Sequence, residues 1–340
     1  MAQTKVTSAE VAARAGVSQS AVSRVFTPGA SASAKTVEKV KAAAKELGYR
    51  PNVLARAMVS GKSRIIGLVV AYLDNHFFPV ALELLSNELQ KKGYHVLIFT
   101  APNSVDAVDN LVQELMDYQV DGIIAASVSM SSTLADRAKL AGIPVVLFNR
   151  GLDGSGMSSV TSTNTEGGRK VAEFLVDAGH QRIAHISGWS GSSTGRDRAF
   201  GFKESLAKSG HALVAEIDGM YSREVASEAA RDLMSRPDPP DAIFVGNDHM
   251  AFAVMDTIRF ELGLSVPEDV SIVGYDDVPM ASWAAYDLTT VRQPVNQMTE
   301  ATIDTLLDQI NDPARPPTKI EIPGPLIARG SARRPKGWTP

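Results

Sequence analysis

Gly16-Val-Ser-Gln-Ser-Ala-Val-Ser-Arg-Val25, inside the basic stretch Val6–Arg56, reads as the turn and second member of a short helix pair. Thr7 and Glu10 stand three apart, the spacing at which a hydroxyl and a carboxylate exchange bonds with the backbone of a first turn. They predict a first helix over Ser8–Ala15, apolar at Val11, Ala12 and Ala15. Gly16 supplies the positive φ that ends it. Ser18 then caps a second helix, Gln19–Phe26, whose Val22 and Val25 face Val11 and Val17, and Ala12, Ala13, Ala15 and Ala21 leave room for a close crossing. This is helix-turn-helix grammar, in which the first residues of the second helix enter a DNA major groove. Gln19 and Ser20 are therefore the base-edge candidates, and Arg24, one turn on, has the reach for guanine or phosphate. A glycine-joined helix pair alone fits an ordinary helical hairpin equally well. A third capped helix shifts the balance toward DNA, with Ser33 as cap, Thr36–Leu47 as body and Gly48 at its end. So does the charge.

Residues 1–62 hold ten Lys/Arg against three acids, a formal +7 in a chain that is −4, so the remainder carries −11. A basic block on an acidic body points to a polyanionic partner for that block alone. The remaining length suits about two core-building units of ~100–150 residues each. The chain has no cysteine, which excludes disulfides and thiolate metal sites and fits a reducing compartment. No apolar run approaches the ~20 residues that span a membrane, and the N-terminus lacks the apolar core of an export signal. A cytoplasmic protein with no membrane partner is expected.

After the third helix comes Tyr49-Arg-Pro-Asn-Val-Leu-Ala-Arg-Ala-Met-Val-Ser-Gly-Lys62. Pro51 blocks continuation of the helix before it. Val53–Val59 is short for an autonomous helix, because isolated helices under ~12 residues are marginal in water. It reads as a conditional hinge that two copies fold together on DNA.

Val6–Lys62 resembles the DNA-binding head of the LacI/GalR family of bacterial transcription regulators. The resemblance rests on Val6-Thr7, Glu10-Val11-Ala12, Ala15-Gly16-Val17-Ser18, Val22-Ser23-Arg24-Val25, Val37, Lys39-Val40, Leu47-Gly48-Tyr49, Pro51-Asn52 and Ala55-Arg56. It implies a homodimer on a near-palindromic operator, with Gln19, Ser20 and Arg24 at base-reading positions and Thr7, Ser18, Ser23, Asn52, Ala55 and Arg56 also at the DNA. It further implies paired hinge helices that push an apolar side chain into a minor-groove base step. Relatives usually have leucine there, and this chain has Met58.

Beyond Ser63 short apolar runs alternate with helical periods. Strands are predicted at Ile65–Val70, His95–Phe99, Gly122–Ala126, Val145–Phe148, Ile183–Ser187, Ala242–Val245 and Ser271–Tyr275. Helices are predicted at Val80–Lys91, Val105–Tyr118, Gly167–Ala178, Ala199–Ser209, Arg223–Met234 and Ala251–Glu261. The fold class is thus an all-α helix-turn-helix head plus an α/β body of two doubly wound parallel-sheet lobes. Ligands of such sheets sit beyond the C-terminal strand ends. There the sequence places Phe77-Phe78, Asn149-Arg150, Arg196, Arg198, Asn247-Asp248 and Asp276-Asp277, with Gln293 after Leu288-Thr-Thr-Val-Arg292. Amides, carboxylates and guanidiniums over an aromatic floor suit a small polyhydroxylated or carboxylated molecule. Singly, such residues are more often caps or turn formers, and Asp248 and Asp277 are read as structural.

The resemblance extends over the body through Gly179-His-Gln-Arg-Ile-Ala-His-Ile-Ser-Gly188, Arg198-Ala-Phe-Gly-Phe202, Asn247-Asp248, Val266-Pro267, Asp269-Val270-Ser271, Val273-Gly-Tyr-Asp-Asp277 and Leu288-Thr-Thr-Val-Arg-Gln293. It implies a periplasmic-binding-protein-like effector domain with Phe77, Phe78, Asn149, Arg198, Tyr221, Asn247, Asp276 and Gln293 at the cleft. Relatives often have aspartate where Asn149 stands and Asp-Asn where Thr163-Asn164 stands, so two acids are missing near Arg150 and Arg198 and an anionic effector gains weight; a simple pairing of Asp276 with Arg198 carries equal weight. The domains are expected at 1–49 (head), 50–62 (hinge) and 63–340 (effector and dimerisation). Within the last, lobe one is about 63–162 plus 294–324, and lobe two about 163–293 plus 325–340. No cofactor, metal or catalytic constellation is expected. Gly188-Trp-Ser-Gly-Ser192 lacks the last glycine of a nucleophile elbow, and His180 and His185 lack the helical spacing of a zinc pair. A transport binding protein would need an export signal and no head. A nucleoid-type DNA binder without effector survives on sequence alone. The short C-terminus Ser331–Pro340 has no heptads, so a dimer is the expected assembly.

Overall fold

Three helices make the N-terminal part of the computed structural model, which describes residues 6–27, 30–50, 62–71, 73–100, 105–128, 131–152, 154 and 156–338. The hinge residues Asn52, Ala55, Arg56 and Met58, and the predicted helix Val53–Val59, lie outside the described residues. The chain divides into two compact units, Met1–Arg64 and Ile65–Pro340.

In the first unit, α1 (Ser8–Ala15) starts on a complete Thr7–Glu10 capping box and ends where Gly16 takes φ 64°. Helix α2 (Gln19–Phe26) is capped by Ser18, whose hydroxyl accepts from the Ala21 N–H. Helix α3 (Ala34–Leu47) begins two residues before the apolar period does, because Ser33 is the cap and the helix follows it directly. Their core is small: Val11, Ala12, Ala15, Val22, Val40, Ala43 and Ala44. Phe26 and Tyr49 close one side, with ring centroids 5.8 Å apart.

The second unit holds two six-stranded sheets. Sheet one contains β1 (Ile65–Val70), β2 (His95–Thr100), β3 (Gly122–Ala126), β4 (Val145–Phe148), β5 (Ser158–Ser162) and β11 (Lys319–Ile322). Its order is β11-β5-β4-β3-β1-β2, parallel throughout. Sheet two contains β6 (Ile183–Ser187), β7 (Ala215–Asp218), β8 (Ala242–Val245), β9 (Ser271–Asp276), β10 (Thr289–Arg292) and β12 (Leu326–Ile327). Its order is β12-β10-β9-β8-β6-β7, with only β12 antiparallel. Helices follow the strands: α4 (Phe77–Lys91), α5 (Val105–Asp117), α6 (Ser132–Leu140), α7 (Asn164–Asp177), α8 (Ser193–Lys208), α9 (Arg223–Met234), α10 (Asp248–Asp256) and α11 (Val295–Asn311). A π-helical turn, Thr257–Glu261, prolongs α10.

The interior strands are buried on both faces, so they read as continuous apolar runs. Strand β5 escapes that pattern: its sequence is Ser-Ser-Val-Thr-Ser, yet every residue is buried. Hydrogen bonds replace apolarity there. The Ser158 hydroxyl accepts from the Thr318 N–H at 3.0 Å and from Gln309 Nε2 at 2.9 Å.

The chain passes between the sheets three times, at 162–164, 292–295 and 322–326. These passages are bonded together. Ser162 Oγ donates to Gln293 Oε1 at 3.1 Å, the Thr163 N–H to Ile322 O at 3.1 Å and the Arg292 N–H to Pro325 O at 2.9 Å. Helices α7 and α8 cross almost backbone to backbone. A Cβ on Gly168 would lie 2.1 Å from Arg198 O, and one on Gly201 1.9 Å from Thr165 O. That crossing fixes Arg198 at the end of sheet two facing sheet one. Among the described residues no helix is long and apolar enough to cross a membrane.

Candidate functional site

Two sets of polar residues stand out, one in each unit. In the head, Ser18, Gln19, Ser20, Ser23 and Arg24 are all exposed, along the start and outer face of α2. Gln19 Nε2 donates to Ser8 Oγ at 2.8 Å, and the hydroxyls of Ser18 and Ser20 lie 2.9 Å apart. Thr7 is engaged in its cap: its N–H and hydroxyl both donate to Glu10 Oε2, at 2.7 and 2.9 Å. Those bonds hold the Glu10 carboxyl below its ordinary pKa.

In the body, the loops after β1, β3 and β4 meet those after β6, β7 and β8 and the end of β9 around a cleft of ≈ 420 Å³, its solvent-open mouth included. Small-molecule sites run roughly 300–1,000 Å³. Six of the anticipated residues line it: Phe78, Asn149, Arg150, Arg198, Tyr221 and Asn247, together with Asp276 as a seventh. Three others do not. Phe77 lies behind the wall, stacked on Phe148 at 6.1 Å. Arg196 is exposed and donates to Ser190 O at 3.4 Å. Gln293 sits one layer back, where its Nε2 donates to Asp276 Oδ1 at 2.7 Å.

Arg198 organises the sheet-two wall. It is 3% exposed. Its Nε donates to Asn164 Oδ1 at 2.9 Å and its Nη1 to Gly246 O at 2.7 Å. The same Nη1 lies 3.6 Å from Asp276 Oδ1, and the guanidinium carbon is 3.6 Å from the Tyr275 ring centroid. Both readings of Asp276 thus coexist, since it pairs with Arg198 while facing the cleft. Burial pushes its pKa up to about 6 against the opposing pull of Arg198 and bonds from Gln293 and Asn75.

On the sheet-one wall, Asn149 Nδ2 donates to Ser127 Oγ at 3.1 Å, whereas its Oδ1 is buried and accepts no hydrogen bond. Arg150 reaches across to the other wall, its guanidinium carbon 5.6 Å from the Trp189 ring centroid. The Gly151 N–H likewise crosses to Ser193 Oγ at 3.1 Å. Tyr221 OH lies 3.2 Å from both Ser192 Oγ and Thr194 Oγ1. Asn247 caps α10 by accepting from the Met250 N–H at 3.0 Å. Ser127, Asn149, Tyr221 and Asp276 have φ of 52°, 64°, 56° and 129°. Left-handed backbone at non-glycine residues is strained and gathers at ligand sites.

Four lining residues were not anticipated: Asp74, Asn75, Ser127 and Thr194. The first two lie beyond the last apolar residue of β1 and before the first of α4, where periodicity is silent; Ser127 is a single polar residue after β3. Asp74 and His249 also face each other, at 3.7 Å. Asp248 and Asp277 are structural, as expected. Asp248 accepts from Thr290 Oγ1 at 2.6 Å and from the Val278 N–H at 3.0 Å. Asp277 holds Arg292 and Arg329, each at 2.6 Å. His185 is a buried core histidine stacked on Phe244 at 4.7 Å, and burial depresses its pKa to about 4.

A helix-turn-helix head joined to a two-sheet body with a polar cleft defines a class, the DNA-binding regulators built on a binding-protein scaffold. Residues 7–52 match the bacterial regulatory proteins of the lacI family, and residues 172–332 match the periplasmic binding protein-like domain. The HTH-type transcriptional repressor PurR of Erwinia tasmaniensis is 31% identical over 329 residues, covering 95% of each chain. The ribose operon repressor of Escherichia coli K12 is 29% identical over 326 residues, 95% of this chain and 98% of that one. A crystal structure of the lac repressor dimer bound to operator and the anti-inducer ONPF superposes with a TM-score of 0.87 at 30% identity, covering 96% and 99%. The chain belongs to the lacI family of bacterial regulatory proteins. These relatives are repressors, not enzymes.

Proposed function

We propose that this regulator represses transcription as a homodimer on a near-palindromic operator, and that a small polyhydroxylated or carboxylated molecule in the cleft sets its DNA affinity. Gln19 and Ser20 meet base edges, Arg24 a guanine or a phosphate, and Thr7, Ser18 and Ser23 contact the backbone. The hinge, with Asn52, Ala55, Arg56 and Met58, completes the interface through the minor groove. Arg150, Arg198, Asn149, Asn247, Tyr221 and Asp276 hold the effector over Phe78, with Gln293 orienting Asp276. Arg196 and Phe77 support the walls from outside. The domain limits given above, with a head to residue 49 and a hinge to residue 62, fit this division of labour. The dimeric lac repressor on operator and the ribose operon repressor support the partner and effector classes.

One observation carries the reading. Asn149 Oδ1 is a buried acceptor with no partner, in a cleft otherwise rich in bonded donors and acceptors. A buried polar atom left unbonded costs free energy, which a ligand hydroxyl recovers on binding. An effector that changes operator affinity has its own affinity changed by operator by the same factor, a coupling typically of ~1–3 kcal/mol.

A thermal-shift series of sugars, sugar acids and nucleobases on the full chain tests this. At least one compound should raise the melting temperature and change affinity for a selected operator duplex. Asn149→Gly keeps the left-handed backbone and deletes the amide. It should weaken that compound by about tenfold while leaving ligand-free operator binding unchanged. A panel with no stabilising compound, and operator binding indifferent to all of them, would sink the effector.

A further inference from the structure

The starts of α1 and α2 lie side by side, and one bond joins them. Ser8, the first residue of α1, accepts from Gln19, the first residue of α2, at 2.8 Å. The α1 cap does not need this hydroxyl, because Thr7 and Glu10 cap the helix between themselves. Ser20 is engaged differently, its hydroxyl directed to Ser18 Oγ at 2.9 Å. Of the two residues at the tip of α2, Gln19 alone is held by the neighbouring helix.

We propose that Ser8 is a specificity-determining residue that acts through Gln19. The inference rests on Gln19 being a base reader. A glutamine amide has two N–H donors and one acceptor oxygen. With the N–H trans to Oε1 given to Ser8, the cis N–H and Oε1 remain side by side in a fixed plane. That pair is complementary to adenine, which offers an N7 acceptor and an N6 donor on its major-groove edge. The opposite amide orientation would offer the groove two donors and select guanine, whose major-groove edge has only acceptors. Glutamine is a flexible side chain whose ordering opposes binding. The Ser8 bond meets part of that ordering before DNA arrives, and it selects which edge is read. Ser8 is thus a positioning residue; it need not touch DNA.

The test is selection from a randomised double-stranded DNA library, using the full chain as wild type, Ser8→Ala, Ser8→Thr, Gln19→Ala and the double variant Ser8→Ala/Gln19→Ala. Wild type should select an inverted repeat with adenine at one position of each half-site. Ser8→Ala should lose at least about fivefold of that preference, with affinity for scrambled duplex and its salt slope unchanged. Ser8→Thr should restore it, and Ser8→Ala should change nothing further in the Gln19→Ala background. Because the Thr7–Glu10 cap is untouched, thermal unfolding of the Ser8 variants should match wild type. Preference retained in Ser8→Ala, equal losses with and without Gln19, or selection of guanine would each overturn the inference. A wild type that selects no inverted repeat would instead remove the operator reading beneath it.

Discussion

The head and the cleft both set polar residues at helix starts, yet they treat them in opposite ways. Ser18, Gln19, Ser20 and Arg24 are exposed, and their bonds run to partners at most eleven residues away in sequence. Arg198, Asn247 and Asp276 are 3%, 2% and 4% exposed. Arg198 binds atoms of Asn164 and Gly246, 34 and 48 residues distant. A groove reader meets a highly charged, hydrated partner and has little to gain from being buried beforehand. A cleft that recognises a small polar molecule must hold its groups in place before the ligand arrives, since it has few contacts over which to recover ordering entropy. Function and stability are therefore separable in the head and entangled in the cleft.

The two arginines give the sharpest contrast. Arg198→Ala leaves Gly246 O without its guanidinium donor, Asn164 Oδ1 with only Ser162 Oγ and the buried Asp276 without its cation, and removing one partner of a buried pair costs ~3–5 kcal/mol. Arg24→Ala deletes an exposed side chain with no packing role, worth under about 0.5 kcal/mol of stability, but it should abolish operator preference. Urea unfolding of the two variants, read beside DNase footprinting, measures both quantities. Comparable losses of stability would break the comparison.

The same contrast explains what the sequence made legible. The head was readable almost residue by residue, because its helix limits are set by local chemistry: the Thr7–Glu10 box, Gly16, Ser18, Ser33 and Gly48. In the body the strands with apolar runs were found, but four helices begin three to six residues before their predicted starts. These are Phe77 rather than Val80, Asn164 rather than Gly167, Ser193 rather than Ala199, and Asp248 rather than Ala251. The missing turns are the ones at the cleft. Phe78, Thr194 and Arg198 among their residues line the cleft, and outside α4, where Pro79 follows the apolar Phe77-Phe78, polar residues such as Asn164, Thr194, Arg198 and Asp248 break the apolar period. Strand β5 was missed for a related reason, since three serines and a threonine, with Ser158 satisfied by Gln309 and Thr318 and Ser162 bonded to Gln293, fill buried positions that apolar residues usually occupy. Of the predicted cleft residues that do not line it, Phe77 and Gln293 lie behind the wall and Arg196 is exposed. Arg196 and Arg198 differ by two positions on one helix, and only the α7–α8 crossing at Gly168 and Gly201 decides which one faces inward.

Asp248 extends the comparison to pH. It is fully buried, and burial, with the nearby Asp276 charge, raises its pKa from 3.8 to about 8. The folded state therefore binds this proton more tightly than the unfolded state does. The stabilisation is complete below about pH 4 and is lost as pH rises through 8. Asp248→Asn stays neutral and can still accept from the Val278 N–H while donating to Thr290 Oγ1. Its stability should match wild type near pH 4 and exceed it by a margin that grows as the pH rises to 7. Chemical denaturation at both values checks this. A difference independent of pH would mean that Asp248 is ionised in the fold. No head residue should show such a profile, because none of its acids is buried among the described residues.

The smallest effect compares like with like. Ser18 and Ser192 are both helix caps, accepting from backbone N–H groups at 3.2 and 3.0 Å. Ser18 is exposed, whereas Ser192 is fully buried. Ser192 also donates to Trp189 O at 2.8 Å and lies 3.2 Å from Tyr221 OH. Loss of an exposed cap costs ~1 kcal/mol, because water replaces part of the bond. Loss of the buried one leaves the Gly195 N–H unsatisfied and Trp189 O with only the Ser192 N–H, and should cost ~2 kcal/mol. Ser18→Ala should therefore lower the stability of the head by half as much as Ser192→Ala lowers that of the body. Ser192→Ala should also loosen the Trp189 loop on which Arg150 rests, weakening an effector found by the thermal-shift series. Equal stability losses in the two variants would show that burial adds nothing to a cap, and the distinction between a solvated reading head and a preorganised cleft would have to rest on Arg198 alone.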